Sequence, residues 1–99
     1  MAKKLPPVHP GEVLREDYMI PLGLSANALA IALGVTAARI NEIANGRRGI
    51  SADTALRLAR YFGTDARSWL NLQQNYELEV AERELGGTLA AIRPRPRAA

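Results

Sequence analysis

The chain has no cysteine, a single histidine, one tryptophan and one phenylalanine, and aromatic residues make up only 5% of its 99 positions. The missing cysteine excludes disulfides and thiolate metal sites, and His9 alone makes no metal centre. With so few aromatics, leucine, isoleucine and alanine must supply most of the packing. No apolar run approaches the ~20 residues a bilayer-spanning helix needs, and no signal-peptide stretch opens the sequence. Also missing are a nucleophile-and-base pair, a paired-carboxylate constellation and a phosphate-cradling glycine loop, so nothing points to catalysis, a metal or a cofactor. The expectation is one small cytoplasmic domain with no membrane partner.

Charge is present but uneven. The formal net charge is only +3. Yet between positions 39 and 67 stand Arg39, Arg47, Arg48, Arg57, Arg60 and Arg67, against Glu42, Asp53 and Asp65. Lys3, Lys4, Arg93, Arg95 and Arg97 add positive charge near the ends. Acids collect elsewhere, in Glu12, Glu16 and Asp17 and in Glu77, Glu79, Glu82 and Glu84. Such polarity suits a protein with one phosphate-facing side.

Residues 26–45, ANALAIALGVTAARINEIAN, carry the strongest pattern. Ala30 is small where two helices must approach, and Gly34 stands where the chain must turn and a positive φ is cheap only for glycine. Leu29, Leu33, Val35, Ile40 and Ile43 fall on inward faces. Thr36 stands ready to cap the second helix of the pair. The spacing predicts a helix-turn-helix, the unit that lays its second helix in the major groove of DNA.

At 100° per residue the second helix turns Ile40 and Ile43 inward, and the opposite arc holds Ala38, Asn41, Glu42 and Asn45, flanked by Ala37 and Arg39. Asparagine can bridge adenine, glutamate can accept from cytosine, arginine can fork onto guanine, and alanine methyls can meet thymine. Backbone-holding contacts are expected from Ser25, Thr36, Asn45, Arg47 and Arg48. For Arg39 a salt bridge with a nearby acid is the competing reading.

The rest of the chain organises around this unit. Residues 1–8 read as a flexible arm and 9–85 as the domain. His9-Pro10-Gly11-Glu12 opens the first helix, with Val13, Leu14, Tyr18 and Met19 inward. Ser25 caps the second helix, Gly46 ends the third, and Ser51 caps a fourth with Ala55, Leu58, Ala59 and Phe62 buried. Thr64 is expected to cap a fifth helix over residues 65–85. Trp69, Leu72, Tyr76 and Val80 share one of its faces, while Leu70 and Leu78 lie off it. That surplus of apolar surface suggests a partner helix. Gly86-Gly87 then breaks the helix, residues 88–92 suit a short strand, and 86–99 as a whole is that strand or a disordered basic tail. The fold class is all-α, a five-helix phage-repressor-like domain with that C-terminal strand as an optional addition. Leu72, Tyr76, Val80, Leu89 and Ile92 are the candidate dimer contacts.

Three blocks together resemble a known family. The helix-turn-helix followed by N-G-R-R-G-I-S and A-L-R-L-A is similar to the Xre/phage-repressor class. H-P-G-E-V-L-R-E with P-L-G-L-S at residues 9–25, and W-L-N-L-Q at 69–73 with Tyr76 and Leu78 beyond it, resemble the HigA (VapI-like) antitoxins. The resemblance implies a homodimer that binds double-stranded operator DNA, represses its own operon and neutralises a HigB-like toxin, a RelE-like mRNA endonuclease. Toxin contacts form no motif; Glu12, Glu16 and Asp17 are candidates because such toxins tend to be basic. The alternative is a stand-alone Xre-type repressor with no toxin partner.

Overall fold

His9 caps the first helix with its ring, Nδ1 accepting the Gly11 N–H at 2.9 Å, and Pro10 occupies the helical position where a missing N–H costs nothing. The computed structural model describes residues 5–96, and among these every regular element is helical. Lys3, Lys4, Arg97 and the outer parts of the arm and tail lie outside the described residues. Helix α1, residues 10–22, consists of three successive stretches, Pro10–Val13, Leu14–Met19 and Ile20–Leu22. The middle stretch is π-helical, the Ile20 N–H reaching back to the Arg15 carbonyl. Pro21 explains this: it has no N–H to give and its ring crowds the carbonyl one turn back, so the turn before it widens.

Four further helices follow: α2 (Ala26–Leu33), α3 (Ala37–Ala44), α4 (Ala52–Phe62) and α5 (Ala66–Ala91). Three of the four expected serine and threonine caps are made. Ser25 accepts from the Ala28 N–H at 3.0 Å, Thr36 from the Arg39 N–H at 3.1 Å and Ser51 from the Thr54 N–H at 3.3 Å. Each is worth about 1 kcal/mol. Burial is worth more, roughly 1.5–3 kcal/mol per large aliphatic side chain. Leu14, Leu29, Ile40, Ile43 and Leu58 are fully enclosed, with Leu33, Ile50 and Trp69 nearly so. The core therefore sits where α1 to α4 and the start of α5 converge.

The fifth helix differs from the sequence expectation at both ends. Its cap residue is Asp65, whose carboxylate takes the Ser68 hydroxyl and not a backbone N–H. Thr64 instead accepts the Trp69 indole N–H at 2.9 Å, which satisfies the one polar atom of a buried ring. At the far end the helix runs through Gly86 and Gly87 to Ala91, so residues 88–92 are not a strand. A lone five-residue strand has no ladder to join, whereas helix supplies partners from within. Two helical glycines cost only ~1 kcal/mol each against alanine. At 1.5 Å per residue the helix is about 39 Å long, in a molecule with extents of 54 × 35 × 21 Å. Residues 82–96 are all exposed, although Arg83 Nη2 donates to the Leu5 carbonyl of the arm. No described helix is long and apolar enough to cross a membrane.

Candidate nucleic-acid interface

The turn between α2 and α3 is tight because Gly34 takes φ 71°, and the Val35 N–H then reaches the Ala30 carbonyl at 3.0 Å. This sets α3 across α2. Ile40, Ile43 and Ala44 are buried, while Ala38, Asn41 and Asn45 are exposed on the arc opposite. Ala37 and Arg39 flank that arc half-buried, and Glu42 is half-buried beside it. Gly46, at φ 74°, ends the helix, and Arg47 and Arg48 follow, both exposed. The outward surface thus begins with two methyl groups, continues with amides and carries its guanidiniums on the flank and the following loop. Small side chains at the start let a helix approach a groove closely, and amides and guanidiniums are the groups that read base edges and hold phosphates.

Two other elements fix this helix. Gly11 of α1 lies so close to α3 that a Cβ there would stand 1.7 Å from the Ile43 carbonyl oxygen. One turn on, Arg15 Nη1 donates to the Ala44 carbonyl at 2.7 Å. Together they clamp the C-terminal end of α3 against α1. In the sequence Gly11 belongs to the start of the first helix and both Gly11 and Arg15 to the H-P-G-E-V-L-R-E block; their i, i+4 spacing is the signal for this contact. The loop after α3 is anchored from α5, where Gln73 Oε1 accepts the buried Ile50 N–H at 2.7 Å.

Electrostatically the surface is a mesh of exposed pairs. Arg48 Nε stands 3.5 Å from Glu42 Oε1, and Arg39 Nη1 stands 3.1 Å from Asp53 Oδ1. The competing reading of Arg39, a salt bridge, is thus realised in the protein without DNA. Such exposed pairs are worth roughly 0–1 kcal/mol, so Arg48 can exchange Glu42 for a phosphate oxygen at little cost. Asp53 also takes Arg57 Nε at 2.7 Å, and Arg57 Nη1 donates to the Leu33 and Gly34 carbonyls at 2.8 and 3.4 Å. The Arg57 hydrogen bond, with Arg39 adding to it, holds the Asp53 carboxyl below its ordinary range. Arg39, Arg48, Gly49, Ser51, Asp53 and Thr54 line one open hollow of about 380 Å³, where α3, the loop and the start of α4 meet. Asp53 and Arg57 were missed as members of this surface, though their i, i+4 spacing on α4 marked them as a pair.

The candidate dimer contacts divide. Leu72 packs against the chain's own core, and Tyr76 is half-buried with its ring edge-on to His9 at 4.8 Å. Val80 is half-buried, whereas Leu78, Leu85 and Leu89 stand exposed on α5 and Ile92 exposed just past its end. Of the proposed acidic contacts, Glu12, Glu16 and Asp17 are all exposed, Glu16 beside Arg15 at 3.2 Å.

A helix-turn-helix family model matches residues 16–69, which span α2 to α4 with parts of α1 and α5. The chain belongs to the helix-turn-helix family, whose members here are DNA-binding regulators and antitoxins, not enzymes. It groups there with HigA antitoxins and VapI-like virulence-associated proteins. Virulence-associated protein I of Dichelobacter nodosus is 62% identical over 81 residues, 82% of this chain and 75% of that protein. A solved structure described as Pseudomonas aeruginosa antitoxin HigA with higBA promoter superposes with a TM-score of 0.88 at 45% identity, covering 91% of this chain and 99% of that one. Antitoxin GraA, solved in complex with its operator, gives 0.88 at 42% identity over 99% of both chains.

Proposed function

We propose that this chain is the antitoxin of a HigBA-type toxin–antitoxin pair. As a homodimer it binds operator DNA in its own promoter and represses its operon. It also neutralises a RelE-like mRNA endonuclease by forming a protein complex. The observation that carries the DNA part is the solvent-facing arc of α3, Ala38, Asn41 and Asn45, continued by Arg47 and Arg48. Relatives solved with a promoter and with an operator support it. Ser25, Thr36, Asn45, Arg47 and Arg48 hold the phosphate backbone, and Ala37, Ala38, Arg39, Asn41 and Glu42 face the base edges.

The unpacked half of α5 supports the dimer. Leu78, Leu85, Leu89 and Ile92 leave an apolar face that a second copy would cover. Two recognition helices would then sit about one helical turn apart, roughly 34 Å, on a palindromic site. The toxin is left the faces that DNA does not use, of which the acidic side of α1 suits a basic partner.

The test has two arms. Purified protein is titrated against the DNA upstream of its own reading frame, and the protein is co-expressed with the product of the adjacent gene. Tight, palindrome-dependent binding with co-purification of a RelE-like product is expected. Operator binding with no toxin-like neighbour or complex would leave the stand-alone repressor as the correct reading. Absence of operator binding would overturn the proposal itself.

A further inference from the structure

Only one corner of the Arg39 guanidinium is engaged. Nη1 donates to Asp53 Oδ1 at 3.1 Å, and among the described residues Nε and Nη2 have no partner. The same Asp53 oxygen receives Arg57 Nε at 2.7 Å, and Arg57 is itself tied to the carbonyls of Leu33 and Gly34. A continuous hydrogen-bonded chain therefore runs from the helix-turn-helix turn through Arg57 and Asp53 to Arg39.

We propose that Asp53 is a positioning residue for sequence recognition: its carboxylate holds Arg39 so that the free edge of the guanidinium meets one base pair, without Asp53 touching DNA itself. This rests on the reading of α3 as the groove-facing helix. An arginine on a free stem must surrender its rotamer freedom when it forks onto a guanine edge, while one already held from behind surrenders less. Asp53 stands on α4, in the open hollow beside Arg39, so it holds the guanidinium from the flank of α3.

Charge makes the role separable from a merely structural one. A carboxylate at the rim of a phosphate-facing surface repels DNA of any sequence. Asp53 therefore sacrifices general affinity while sharpening choice at one position. A residue that only supported the fold would show the opposite pattern, its loss weakening binding to every duplex.

The experiment measures Asp53→Asn, Arg39→Ala and the double variant on the operator, on single-base-pair operator variants and on a scrambled duplex. Arg39→Ala is expected to erase discrimination at one base pair, by roughly five- to tenfold. Asp53→Asn should lose about threefold or more at that same base pair, bind the scrambled duplex unchanged or about twofold more tightly, and add nothing in the Arg39→Ala background. Arg57→Ala cuts the tie that anchors Asp53 to the turn but leaves the Arg39–Asp53 pair; it should lower the unfolding midpoint and weaken the same base preference by less than Asp53→Asn does. If Asp53→Asn weakens all duplexes alike, or leaves the Arg39 base pair untouched while Arg39→Ala does not, the positioning role is overturned. If Arg39→Ala changes no base preference, the groove-facing assignment of Arg39 is what fails, and the role of Asp53 falls with it.

Discussion

Gln73 reaches from α5 to the loop behind the recognition helix, its Oε1 accepting the buried backbone N–H of Ile50 at 2.7 Å. The Gln73 amide N–H in turn donates to Glu77 Oε2 at 2.8 Å, so the side chain is held at both ends. Gly49 makes room for it: a Cβ there would stand 2.8 Å from Gln73 Nε2. The helix with the projecting apolar face thus also fixes the loop that carries Arg47 and Arg48.

Gln73→Leu keeps the size of the side chain but leaves the Ile50 N–H unsatisfied. An orphaned buried donor costs about 1–3 kcal/mol. The expected result is a matching fall in unfolding free energy and faster amide exchange at Ile50. An unchanged denaturation curve would show that water or a shifted loop replaces the bond.

His9 predicts a pH dependence of stability with a defined sign. Partial burial pushes the ring below its ordinary 6.5, because the charged form is disfavoured in the fold. Protonating Nδ1 would also remove the acceptor that caps Gly11. Above pH 6.5 both folded and unfolded chains carry a neutral ring, and stability is at its plateau. As pH falls below that value the unfolded chain takes up the proton first, so stability declines until the lower folded value is passed. His9→Asn retains a capping side chain and cannot titrate. Its unfolding midpoint should be flat across the window just below pH 6.5 where the parent slopes. Parallel slopes would assign the pH dependence to other groups.

How far these features could be read beforehand depended on whether the signal was local. Gly34, Ser25, Thr36 and Ser51 act on backbone within three residues of themselves, so their roles followed from spacing. Gln73, Asp53 and Arg15 act on residues 23, 14 and 29 positions away, and no periodicity encodes such partners. The end of α5 was misread for a related reason. Gly86-Gly87 is a local break signal, but with no neighbouring strand the alternative to helix had nothing to pair with. The π-helical turn of α1 is encoded by Pro21, whose effect falls on the turn before it and shows in no apolar periodicity.

The projecting half of α5 predicts the consequence of Leu89→Asp. Leu89 is exposed in the single chain, so the fold should survive with little change in its circular dichroism or midpoint. In the dimer the same carboxylate would be buried without a partner, which costs several kcal/mol. Light scattering at micromolar concentration should show a dimer for the parent and a monomer for the variant. Operator affinity should fall with it, because two half-sites no longer act together. A variant that stays dimeric would move the interface elsewhere on the molecule.

DNA binding and toxin binding should be separable by mutation. A toxin that joins the antitoxin on its operator cannot use the outward arc of α3 or its C-terminal loop. It must dock on the remaining faces of α1, α5 or the N-terminal arm. Ala38→Glu places a carboxylate on the exposed arc of α3 proposed to face the groove, where the phosphate-lined field would disfavour it strongly. Ala38 is exposed, so the substitution should change stability by less than ~0.5 kcal/mol. Operator binding should be abolished in gel-shift or anisotropy titrations. Co-expression with the neighbouring toxin should still rescue growth and yield a complex of unchanged stoichiometry. A folded, dimeric Ala38→Glu protein that no longer rescues growth would mean that neutralisation uses the DNA-reading face, and the division into two surfaces would have to be abandoned.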